Sequence, residues 1–190
     1  MKIGIIIGSV REGRAGQSVA EWVYSHAQQR DGVDYEIVDL KAFDLPILTD
    51  PVVPGAANRE YGTAEARAWS TEIDGYDGFI FVSPEYNHGV PGAFKNAFDT
   101  IAPEWAHKAV GLVSYGADGG VRAVEQWRQI VANAQMVAVR GQVSLSLFTE
   151  FGENGVQPDA RRDGEIDALL ASVEQMTSAL AAIRGANVGA

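Results

Sequence analysis

The chain has no cysteine among its 190 residues. Disulfides, thiolate nucleophiles and thiolate-bound metals are therefore excluded. Positive charge is scarce: Lys and Arg total 15 against 25 Asp and Glu, a formal net charge of −10. Such acidity argues against nucleic acid or an anionic membrane as partner, so an anionic ligand must be gripped by a local set of donors. No apolar run approaches the ~20 residues that span a bilayer. Met1-Lys2-Ile3 leads straight into a strand-like run, with no signal-peptide pattern. His26 and His107 have no Asp or Glu at metal-ligand spacing, so no metal site is expected. The absence of a Gly-x-Ser-x-Gly elbow argues against a serine hydrolase. The Gly-Lys-Ser/Thr ending of a P-loop is missing, as is the Gly-x-Gly-x-x-Gly dinucleotide fingerprint. A cytoplasmic enzyme or binding protein fits these absences.

What is present is a globular composition, 46% hydrophobic and 21% charged, at a length that suggests one domain. Apolar, β-branched runs predict strands over Lys2–Ile7, Tyr35–Leu40, Asp77–Val82 and Ala109–Ser114. A fifth is expected at Met136–Val139, with room to extend through Leu147. Helices are expected over Gln17–Gln29, Thr63–Asp74, Pro91–Ile101, Val121–Ala132 and Glu165–Ile183. Lys41–Gly62, with Pro46, Pro51 and Pro54, is irregular and has the length of a lid or interface segment. Thr149–Gly164 reads as polar and mobile, and Gly185–Ala190 as a frayed tail. Strand–helix alternation predicts an α/β fold with a parallel sheet covered on both faces. Five strands in this length suit a flavodoxin-like three-layer sandwich of strand order 2-1-3-4-5 better than the dinucleotide fold.

That order would bring three loops to one crevice at the carboxyl ends of strands 1, 3 and 4. The first, Gly8 to Ser18, offers Ser9, Arg11, Arg14, Gln17 and Ser18 ahead of a helix start, the donor set of a phosphate cradle. Glu12 is its only acid. The second, Ser83-Pro84-Glu85-Tyr86-Asn87-His88-Gly89-Val90-Pro91, has groups that can hold a flat heteroaromatic ring by its edge. Pro84 is expected to stop the strand and Pro91 to open the helix. Tyr86 can pack on a ligand, and Glu85 and Asn87 can bond to it or to the loop itself. His88 and Lys95 read as exposed, and Asn96 as a tie for the loop. The third, Ser114-Tyr115-Gly116-Ala117-Asp118-Gly119-Gly120, lets backbone approach a planar ligand closely. Asp39 reads as a solvated strand end, and Trp22, Trp69, Trp105 and Trp127 as packing or dimer contacts.

These motifs together resemble the NAD(P)H-dependent FMN reductases, a flavodoxin-like family that includes quinone, azo-dye and chromate reductases. The likeness rests on Gly8-Ser9-x-Arg11, Asp44-Leu45-Pro46, Pro84-Glu85-Tyr86-Asn87, Val90-Pro91-Gly92, Lys95-Asn96, Ser114-Tyr115-Gly116 and Gly119-Gly120. It implies FMN as cofactor and NAD(P)H as co-substrate. The phosphate would lie at Ser9, Arg11, Gln17 and Ser18. The ring would lie near Pro84, Glu85, Tyr86 and Asn87, and near Ser114, Tyr115, Gly116, Gly119 and Gly120. It implies two-electron, ping-pong transfer to a quinone, azo compound, free flavin or similar small acceptor, with no catalytic acid or base. It also implies a homodimer or dimer of dimers, and the long Lys41–Gly62 segment is expected to contribute to it on its length alone. Two other classes stay open on the residues alone: a non-catalytic electron carrier or FMN sensor, and an NAD-binding Rossmann enzyme.

Overall fold

The computed structural model describes residues 1–187, with side chains described through Gly185. The first strand, β1 (Lys2–Ile7), sends Ile3, Ile5 and Ile7 to one face and Ile6 to the other. Both faces are buried, which is why the run does not alternate with polar residues. Helix α1 (Gly16–Ala27) follows, burying Gly16, Val19, Ala20, Val23 and Ala27 at the spacing of one helical stripe. Then come β2 (Asp34–Asp39), α2 (Ala64–Asp74), β3 (Gly78–Pro84), α3 (Gly92–Thr100), β4 (Ala109–Gly116), α4 (Val121–Asn133) and β5 (Val137–Ser146). A two-residue-strand hairpin, β6 (Phe151–Gly152) and β7 (Gly155–Val156), precedes the long α5 (Arg161–Asn187).

The five strands pair in parallel in the order β2-β1-β3-β4-β5, as expected from the alternation. Helices α1 and α5 cover one face over an aliphatic core. Helices α2, α3 and α4 cover the other over an aromatic one. There Phe81 meets Phe94, Phe98, Trp105 and Trp127 at ring-centroid distances of 4.9 to 6.3 Å. Trp69, Trp105 and Trp127 are fully buried, so packing is their role.

Several elements depart from the sequence reading for physical reasons. β3 does not stop before Pro84 but includes it, paired with Tyr115. Pro84 has no N–H to give, but its place at the strand's end needs none, and Glu85 N resumes the ladder by donating to Tyr115 O at 3.0 Å. Pro91 sits one position before α3, as its cap residue. Lys41–Gly62 is entered by one short 3-10 turn, Leu40–Phe43, and contains another, Pro54–Ala56. Thr149–Gly164 is not a loose tract: Val156 N donates to Ser18 Oγ at 3.0 Å, and Arg162 binds Glu150 at 2.7 Å. α5 starts earlier than expected and runs through Gly185 to Asn187, while the rest of the expected frayed tail, 188–190, lies outside the described residues. By length and composition α5 is long and apolar enough to cross a membrane, with a mean hydropathy of 1.3 over its most apolar stretch. Here its residues Ile166, Leu169, Leu170 and Val173 are buried in the core.

Candidate functional site

The three loops meet at the carboxyl end of the sheet. Ser9 Oγ and Tyr86 Oη are 2.7 Å apart, joining the first loop to the second across 77 residues of chain. A Cβ on Gly116 would come within 3.2 Å of Glu85 Cβ, so the third loop lies directly on the second. Their meeting follows from β1, β3 and β4 being adjacent and from the sheet reversing its winding direction beside β1.

In the first loop, the start of α1 is open. Its cap residue Ala15 offers no side-chain acceptor, and no acid stands in its first turn. First-turn N–H groups have no partner inside their own helix, and the dipole there favours an anion. Arg11 is exposed, with its guanidinium carbon 5.9 Å from the centre of the Tyr86 ring. Arg14 is spoken for: it donates to Ser9 O at 2.9 Å and pairs with Asp39. Asp39 is therefore not a free strand end, since it also accepts from Lys41 N at 3.0 Å. Ser18 donates to Ala15 O at 2.9 Å and accepts from the hairpin, so both roles of its hydroxyl are in use. Gln17 is exposed and bonds Glu21 at 3.0 Å. Ser9 is buried, but the Ser9–Tyr86 pair uses only one of two O–H donors, leaving the other to give.

The second loop is a tight turn. Tyr86 and Gly89 exchange both backbone hydrogen bonds at 3.0 Å. Asn87 and His88 between them take φ of 49° and 64°, the pattern of a type I′ turn. Both side chains are exposed at its tip. Glu85 turns away from the cleft: its carboxylate accepts from Arg122 N at 2.9 Å, Ala123 N at 3.3 Å and Arg122 Nη1 at 3.2 Å. Gln126 adds a second tie, donating to His88 O at 2.9 Å and accepting from Val90 N at 3.1 Å. Asn96 holds a different loop from the one expected, bonding Leu48 N and Pro46 O at 2.9 Å each. Lys95 pairs with Asp99 along its own helix at 2.5 Å.

In the third loop, Ser114 and Tyr115 are buried, with Ser114 Oγ donating to Gly119 O at 2.7 Å. Burial pushes the Tyr115 phenol far above its ordinary range, as does the neighbouring Tyr86. Gly119 and Gly120 both need left-handed backbone, φ 73° and 76°. A Cβ at Gly120 would also lie 2.8 Å from Ser114 Cβ and 3.0 Å from Tyr115 N. Gly120→Ala is expected to cost about 1–3 kcal/mol of stability from backbone strain alone. Urea unfolding of the variant checks this.

Arg122 and Gln126 escaped the sequence reading, although they lie one helical turn apart on α4 and so on one face. His26 also has unforeseen acidic neighbours, Asp167 at 3.1 Å and Asp163 at 3.5 Å on α5, but no group of metal-binding side chains forms among the described residues. A cavity of about 610 Å3 lies at the opposite, amino end of the sheet. Its arginines are already matched, Arg59 with Asp74 and Arg184 with Asp77, so it presents no spare guanidinium.

The fold is flavodoxin-like, and the site is a crevice with an uncapped helix end at one side and glycine-rich backbone at the other. A family model described as NADPH-dependent FMN reductase matches residues 1–150, and the chain belongs to that family. It is 41% identical over 129 residues, 66% of this chain and 64% of the relative, to the "NAD(P)H-dependent FMN reductase ntnL" of Nectria sp. It is 33% identical over 188 residues, 93% of this chain and 98% of the relative, to the "NAD(P)H-dependent FMN reductase LOT6" of Saccharomyces cerevisiae. Among solved structures it resembles the flavoenzyme NAD(P)H:(acceptor) oxidoreductase FerB of Paracoccus denitrificans in fold, with a TM-score of 0.73, 19% identity and coverage of 92% and 98% of the two chains.

Proposed function

We propose that the chain binds FMN in this crevice and works as an NAD(P)H oxidoreductase toward quinones, azo compounds, free flavin or similar small acceptors. The observation that carries the reading is the open α1 start beside Arg11, in a chain of net charge −10. In an acidic protein, a helix start without a side-chain cap or a first-turn acid, preceded by a loop carrying Arg11, suits an anion. α4, by contrast, begins at the same edge of the sheet but has Glu85 on its first N–H groups. The phosphate then belongs with α1, and the ring with the Tyr86–Gly89 turn and the Gly116–Gly120 backbone.

When bound, FMN supplies the two-electron hydride chemistry through which NAD(P)H and then the acceptor react in turn, a ping-pong order. The chain's own residues position and shield. Arg11 and the first-turn N–H groups of α1 hold the phosphate. The hydroxyl left free in the Ser9–Tyr86 pair can donate to it. Ser18 and Gln17 support the helix start from their observed bonds to Ala15 O and Glu21. Tyr86 offers a ring edge to the ligand, and Asn87 a side-chain amide at the tip of the turn. Lys95 is paired and His88 solvated, which is consistent with a reaction that asks no side chain for a proton.

Purified protein is expected to take up FMN at micromolar levels, and NADPH or NADH to bleach it anaerobically in a single absorbance scan. A colourless protein that binds no FMN overturns the proposal. Flavin uptake without bleaching would make the chain an electron carrier or sensor instead. Arg11→Ala is expected to weaken FMN binding by about 1–3 kcal/mol, the range for a charged hydrogen-bonding partner. An unchanged dissociation constant would remove Arg11 from the cradle.

We also propose a homodimer formed partly through Lys41–Gly62, where Ile47, Val52 and Val53 are 74%, 51% and 68% exposed. Sedimentation showing a monomer at working concentration would end that part.

A further inference from the structure

Glu85 stands in the most specific motif of the chain, yet its carboxylate does not face the crevice. It follows the last residue of β3, and its side chain is 8% exposed. Helix α4 needs it. The helix's own cap residue is Gly120, in left-handed backbone, with no side chain to accept a hydrogen bond. Glu85 fills that place from another loop, accepting from the N–H groups of Arg122 and Ala123. Arg122 adds its guanidinium at 3.2 Å and pairs also with Asp118 at 2.8 Å. One carboxylate thus ties the Tyr86–Gly89 turn to the start of α4, between the two loops assigned to the ring.

We propose that Glu85 is a positioning residue for FMN that sets both the width of the ring slot and the potential of the bound flavin. This rests on the functional reading above. The first effect is mechanical: with the cap gone, α4 and the turn lose one of the bonds that fix their separation, leaving Gln126 on the turn itself and Trp127 on Ser83 behind it. The second is electrostatic. The start of α4 would present positive potential to the crevice, and a carboxylate on its first N–H groups cancels it. Flavin that gains electrons gains negative charge, and a buried carboxylate beside the slot opposes that gain in a medium of low dielectric. Arg122 partly offsets the carboxylate, so removing Glu85 and removing Arg122 act in opposite directions.

The test uses the FMN-loaded protein and two variants. Glu85→Ala, which removes both the cap and the charge, is expected to raise the FMN dissociation constant at least tenfold and move the midpoint potential to more positive values. Arg122→Met keeps the backbone cap and has a side chain 42% exposed, so it is expected to fold normally and shift the potential to more negative values. A purely structural role for Glu85 predicts weaker FMN binding with no movement of potential in either variant, and that result overturns the proposal. Should Glu85→Ala fail to fold, Glu85→Gln, which keeps an oxygen for the two N–H groups but not the charge, decides by whether its potential rises. A wild-type chain that takes up no FMN defeats the functional reading. A wild-type chain that binds FMN, with variants sharing its potential, defeats only the role given to Glu85.

Discussion

Replacing Arg162 by Met is expected to lower the free energy of unfolding by about 3–5 kcal/mol, the cost of stranding a buried charge. Arg162 is 8% exposed and its partner Glu150 is 4% exposed. The guanidinium reaches Glu150 through two nitrogens at 2.7 and 3.1 Å, Ser144 O at 2.5 Å and Glu165 at 2.5 Å. Without it, Glu150 keeps the backbone N–H groups of Ser146, at 2.9 Å, and of Asp159. Burial works to raise the Glu150 carboxyl, but the hydrogen bonds from Arg162 and Ser146 outweigh it and hold the group below its ordinary value. Its stabilisation is therefore present above the unfolded carboxylate value and is lost as pH falls through the lower folded one. Urea unfolding at neutral pH measures the loss, with the exposed neighbour Arg161→Met as control, expected within ~0.5 kcal/mol of wild type. A deficit for Arg162→Met under ~1 kcal/mol would show the pair to be replaceable. The apolar double variant Glu150→Leu, Arg162→Met should cost less than the single one, since no charge is left unpaired.

Wild-type stability is expected to gain up to roughly 3 kcal/mol from Lys108 as pH rises from about 8 toward 10.5. Lys108 is 5% exposed, donates to Ile73 O at 2.8 Å near the end of α2, and lies 5.5 Å from the centre of the Phe79 ring. Burial pushes its pKa down to about 8. Asp74 and Asp77 pull it up, and Arg184 and Arg59 push it down. Between the folded value and the unfolded value of 10.5 the unfolded chain binds more protons, so the native state becomes relatively more stable as pH rises. The buried phenols of Tyr35, Tyr61, Tyr76 and Tyr115 are all raised, and they give the opposite slope only above their ordinary range near 10. Unfolding free energies of wild type and Lys108→Met, compared at several pH values between 7.5 and 10, isolate the lysine. A difference that stays flat over that window would mean its ammonium is solvated in the native state.

The layered fold could be read from the sequence because its signals are local. Ile3 to Ile7 and Phe79 to Val82 are apolar without alternation, and only a strand covered on both faces tolerates that. The convergence of three loops followed from strand order alone. What escaped was long-range exchange of hydrogen bonds. Glu85 is 37 residues from the backbone it caps, and no pattern in either stretch announces the pairing. Ser18 also accepts from Val156 N, 138 residues away, a bond invisible along the chain. The same bond explains why the polar stretch after Thr149 is ordered: its anchors, Ser18 and the Glu150–Arg162 pair, are contributed partly by other elements. Asn96 ties down a loop, but its partners Pro46 and Leu48 lie 50 and 48 residues earlier, beyond the reach of local pattern.

The hairpin of β6 and β7 has a practical consequence. Gly155 sits where a Cβ would lie 2.6 Å from Ser18, so the hairpin is seated on the first turn of α1, where the phosphate is proposed to bind. Its tip, Glu153 and Asn154, is exposed. A protease acting there reports how firmly the first turn of α1 is held, because cleavage needs the hairpin to lift away. Digestion with and without cofactor thus becomes a clock for loading that needs neither colour nor turnover.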